Sequence, residues 1–76
     1  MNLNVIEKQI TRVNYLLNRL DTIPAQLNII NDELFSGYVP AKRFNELTTR
    51  RTNLKREQEN KKRELFDVYR IIDKER

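Results

Sequence analysis

Cysteine, histidine and tryptophan are absent from this chain, and a single glycine and a single serine stand among its 76 residues. Without thiols or imidazoles there can be no disulfide, no Cys/His metal centre and no histidine-activated nucleophile. Ser36 has no base to activate it and reads as a loop residue. One glycine is too few for the loops that cradle phosphate groups. No apolar run approaches the roughly 18 residues that span a bilayer, and the opening MNLNVIEKQ lacks the basic-then-apolar order of a secretory signal. The expectation is a soluble, cytoplasmic protein that is not an enzyme and binds no cofactor.

What is present suits long helices. Hydrophobic residues make up 38% and charged residues 34%, a balance typical of amphipathic helices rather than of a globular enzyme. A chain of this length builds only a marginal core unless a partner, metal or cross-link adds stability.

In the first half, Leu3, Ile6, Ile10, Val13, Leu17 and Leu20 recur at alternating steps of three and four, and Leu27 and Leu34 keep the phase. That is a heptad seam. A second row, Leu16, Ile23 and Ile30, runs beside it and widens the apolar face. Asn4, with Glu7 three residues on, suits a cap near the start. Pro24 interrupts the pattern, because its ring clashes with the preceding turn and it has no N–H to donate. Two outcomes stay open. Either helix one continues with a kink at Pro24, or it breaks there and a new helix is capped by Asp21 or Thr22.

In the second half, Phe44, Leu47, Arg51, Leu54, Gln58, Lys61, Leu65, Val68 and Ile72 hold the alternation, with a polar centre. Between the halves lies FSGYVPAKRF, which holds Gly37 and Pro40. Glycine suits the end of one helix and proline the start of the next. Val39 and Phe44 have the spacing of a hydrophobic staple around that start. The expected fold is all-α: an antiparallel two-helix coiled-coil hairpin, with helix one about 3–36, a turn at 37–40 and helix two about 41–75. Folding back at Gly37 puts Leu16, Leu17 and Leu20 across from Gln58, Lys61 and Lys62, whose stems cover them incompletely. The expected partner-binding residues are therefore Leu16, Leu17, Leu20 and Ile23, joined by Tyr38, Val39 and Phe44 at the tip. The partner is a second copy, giving a homo-oligomer, or a subunit of a parent protein.

The net charge of +4 is uneven: nine basic and three acidic residues fall between Lys42 and Arg63. An alternative function follows, a small nucleic-acid-binding protein using Arg50, Arg51, Lys55 and Lys62. On a heptad wheel, however, those charges encircle the helix, and Glu57 and Glu59 dilute them, so a solvated face is favoured. The stretch has no apolar face of its own, so membrane binding is not expected.

The pattern L-F-S-G-Y-V-P-A-K-R-F-N-E-L over residues 34–47 resembles the hairpin turn in the coiled-coil arm of large serine recombinases, the phage integrases and related transposon enzymes. Leu34, Gly37, Val39, Phe44 and Leu47 carry the likeness, while Pro40 stands where Ser or Thr is usual. The resemblance implies a subunit-contact arm in DNA recombination, with the surface from Gly37 to Phe44 meeting other subunits. A phage-type inhibitor or adaptor docking on a host protein is a further alternative.

Overall fold

The computed structural model describes residues 3–75, which form two α-helices, α1 (Leu3–Leu34) and α2 (Ala41–Glu75), with no strand among the described residues. The helices pack against each other. The molecule measures 58 × 15 × 14 Å. One straight helix of this many residues would exceed about 100 Å at 1.5 Å per residue, so the chain doubles back.

The turn shows why the glycine is where it is. The Phe35 N–H donates to the Asn31 carbonyl at 3.0 Å, and Ser36 places both its N–H and its hydroxyl on the Glu33 carbonyl, at 3.4 and 2.7 Å. These bonds satisfy carbonyls that the end of α1 would otherwise leave unpaired. Gly37 follows with φ of 126°, a conformation that side chains with a Cβ rarely adopt. The Pro40 carbonyl then accepts the Phe44 N–H at 2.8 Å, which makes Pro40 the residue just before α2. Its missing donor costs nothing there. Val39 and Phe44 stand at the two staple positions around it.

α1 runs through Pro24 without a break. The Thr22 hydroxyl donates backward to the Arg19 carbonyl at 3.0 Å, so it does not cap a fresh helix. Leu3 is already helical, which places Asn4 inside α1 and not at its cap.

The core is one narrow row. Leu16, Ile23 and Ile30 from α1, with Leu47 and Val68 from α2, are 0 to 5% exposed. On α1 this row differs from the seam that periodicity favours, because Leu3, Ile10 and Leu17 are exposed. Both candidate stripes share the half-buried Ile6, Val13, Leu20 and Leu27. Which neighbouring row is buried depends on where α2 lies, and that is a property of the pair of helices. On α2 the seam positions are buried or half-buried from Leu47 to Ile72, whereas Phe44, near the tip, is exposed.

Candidate functional site

Three arginine–carboxylate pairs join the helices along one side. Arg12 Nε donates to Glu64 Oε1 at 2.6 Å, Arg19 Nη2 to Glu57 Oε1 at 2.7 Å and Arg43 Nη2 to Glu33 Oε1 at 2.9 Å. In the last two a second bond from Nε to the other oxygen makes the contact two-pronged. Seven residues separate Arg12 from Arg19 and Glu57 from Glu64; fourteen separate Arg19 from Glu33 and Arg43 from Glu57. Equal steps in opposite directions mean an antiparallel pair in constant register. The vacant rung falls at Gln26 and Arg50, which line a small recess with Glu33 and Arg43.

These contacts favour the ionised forms of both partners. The hydrogen bond from Arg19, helped by its charge and that of Lys61, holds the Glu57 carboxyl below its ordinary pKa of 4.5 against partial desolvation. Arg43 does the same for Glu33. Arg19 and Arg43 are in turn pushed upward by their carboxylates.

The ladder also shelters the core. Its positions flank the row of Leu16, Ile23 and Ile30 on the helix surface, so its aliphatic stems lie along that row. Lys61 completes the cover level with Leu16. Its side chain is 18% exposed and its ammonium lies 3.9 Å from Glu57 Oε2. It also lies 5.8 Å from the Tyr15 ring centre, with the Arg12 guanidinium 5.0 Å from the same ring. Leu16 and Ile23 are consequently sealed. Leu16 and Ile23, expected to meet a partner, are 0% exposed in the folded hairpin.

The opposite side has no such cover. Heptad geometry places Leu3, Ile10 and Leu17 of α1 and Lys62 and Tyr69 of α2 along it. Leu3 is 66% exposed, Ile10 49%, Leu17 46% and Tyr69 42%. Phe66, one turn before Tyr69, is 68% exposed. Through this gap the half-buried Ile6, Val13 and Leu20 reach the surface. This apolar strip, at the end of the hairpin away from the turn, is the candidate site.

Of the expected contact residues, Leu17 and Leu20 belong to the strip. Tyr38 is 91% exposed at the tip, where Phe35 and Phe44 are exposed and Val39 is half-buried. The tip thus forms a second, separate apolar spot. Among the basic candidates, Lys55 and Lys62 are exposed and Arg50 borders the Gln26 recess. Arg51 is half-buried, with Nη1 3.4 Å from Asn31 Oδ1.

Periodicity alone missed the strip as a surface, because it placed Leu3 and Ile10 in the seam. The signal that reveals it is electrostatic: Arg12 and Arg19 have the same spacing as Glu57 and Glu64, which fixes the face of α1 that meets α2. Among the described residues no group of acidic side chains could hold a metal ion, and no helix is long and apolar enough to cross a membrane. Set against protein-family models, curated proteins and solved structures, the chain matches none of them at a significant level.

Proposed function

We propose that this hairpin is a non-enzymatic protein-contact module that self-associates by burying its uncovered side against a second copy. One observation carries the reading: the ladder seals one flank of the core and nothing seals the other. Leu3, Ile10 and Leu17 recur every seven residues, so a two-fold arrangement sets like against like and yields a four-helix bundle. The five exposed side chains of the strip offer roughly 500 Å² per copy, taking each residue as about 200 Å². Two copies together reach about 1,000 Å², the lower bound for a specific interface. In the same reading α1 bends at Pro24, where one backbone hydrogen bond is lost.

Sedimentation across a concentration series tests the proposal. A dimer is expected in the micromolar range, with Ile10→Gln and Leu17→Gln together giving a monomer of unchanged helicity. A strict monomer at high micromolar concentration would overturn it.

The exposed aromatic tip favours a second reading, the subunit-contact arm of a large serine recombinase, with Tyr38, Val39 and Phe44 as the contact. Zinc-ligand cysteines encoded beside this segment would support that reading; flanking sequence without them would remove it.

A further inference from the structure

The basic residues of α2 do not all remain available for binding. Arg43 is committed to Glu33 and Glu46. Arg51 turns inward towards Asn31, Lys61 is folded over the core against Glu57, and Arg50 lies close enough to Glu33 to lower its pKa. Once these are subtracted, the cations that encircle the helix on a heptad wheel reduce mainly to its outward face. Lys42, Arg56, Arg63 and Arg70 stand at multiples of seven, with Thr49 in the remaining place. They form one line down the back of α2, in steps of about 10.5 Å. All five are exposed, and none of the four cations has a carboxylate within bridging distance among the described residues. Lys55 and Lys62 run alongside on one flank, and Asn53 and Asn60 on the other.

We propose that this outward face of α2, centred on Lys55, Arg56 and Arg63, binds the sugar–phosphate backbone of nucleic acid. Outward positions from Thr49 to Arg63 carry lysine, arginine, threonine and asparagine, the side chains that donate to phosphate oxygens. Glu59 is the sole carboxylate among them, and it is drawn to Lys62 at 3.8 Å. Asp67 marks the weaker end, between Arg63 and Arg70. The same positions hold no apolar side chain, so a lipid surface, which needs an apolar face to insert, is the poorer fit. The line of Lys42, Arg56, Arg63 and Arg70 faces away from α1, so it stays open when the apolar strip is covered, while Lys62 borders that strip.

Fluorescence anisotropy with a labelled duplex of about 20 base pairs, and with one of its single strands, reads this directly. With about four phosphates neutralised, affinity should fall roughly 100-fold between about 50 and 200 mM salt. Changing Lys55, Arg56 and Arg63 together to Gln should lower the log–log salt slope by about 2.7 units without loss of helicity. Lys8→Gln, an exposed change on α1, should leave the slope unaltered. Binding of either duplex or single strand with that slope supports the proposal. No binding at low salt, a triple variant that binds like the parent, or binding confined to vesicles rich in anionic lipid would each overturn it. Should the triple variant lose helicity, the parent's salt slope and Arg56→Gln alone decide the matter.

Discussion

The two sides of this hairpin are made from the same pair of helices, yet they treat apolar residues in opposite ways. On the ladder side, Leu16, Ile23 and Ile30 are 0 to 2% exposed beneath paired arginines and glutamates. On the other, Ile10 and Leu17, each one position away from the matching α1 pattern, stand about half in water. The residue type is the same, so burial here is decided by what flanks the seam. The arginine–glutamate pairs run along the buried row, and where the flank offers leucine and isoleucine in their place, those side chains stay exposed.

The sharpest test of that contrast is a pair of truncations. Ile23→Ala should cost about 2–5 kcal/mol, as a buried large-to-small change does. Ile10→Ala, at a concentration where the chain is monomeric, should stay within about 0.5 kcal/mol. Urea titrations followed by circular dichroism compare the two directly, and equal losses would erase the distinction between the sides.

Next in size is Pro24→Ala. Pro24 is exposed on the uncovered side of a continuous helix, and alanine restores a donor to the Leu20 carbonyl. The hairpin should gain up to about 3 kcal/mol, seen as a higher urea midpoint. A loss would show that the proline supports the packing.

Acid should weaken the ladder side selectively. Glu33 and Glu57 are held below 4.5 by their arginines, so their ionised forms favour the folded state. That contribution is complete above pH 4.5 and is lost as the pH falls through the lowered values. Thermal melts should move to lower temperature between about pH 5 and pH 3. A melting temperature that rose on acidification would contradict the assignment. The smallest effect is expected from Glu64→Gln, whose pair with Arg12 is well exposed, at 38% and 44%. It should cost no more than about 1 kcal/mol in the same urea assay.

The two-helix fold was legible in the sequence, because an uninterrupted apolar period on each side of Gly37 and Pro40 leaves little else for the chain to do. The seam of α2 was legible from Leu47 onward, whereas Phe44, which the same period places in it, is exposed at the tip. The seam of α1 was not. Three adjacent rows, headed by Leu3, Ile6 and Leu16, are all apolar, and period alone cannot choose between neighbouring rows that share Ile6 and Val13. The choice rests on contacts to the other helix, which appear in the sequence only as matched spacings of Arg12, Arg19, Glu57 and Glu64. Likewise, the basic residues of α2 look evenly spread until the structure shows which of them are already engaged.

Gly37 carries a consequence beyond shaping the bend. Every contact that α1 makes with α2 is equally on offer from the α2 of a neighbouring molecule, in the same register and with the same charges. Only the reversal at residues 35–40 keeps the arms of one chain together. A Cβ at position 37 would meet open space but would strain the backbone at φ of 126°. Relieving that strain by straightening the connection would exchange arms between molecules, turning a folded hairpin into an interlocked dimer built from identical contacts.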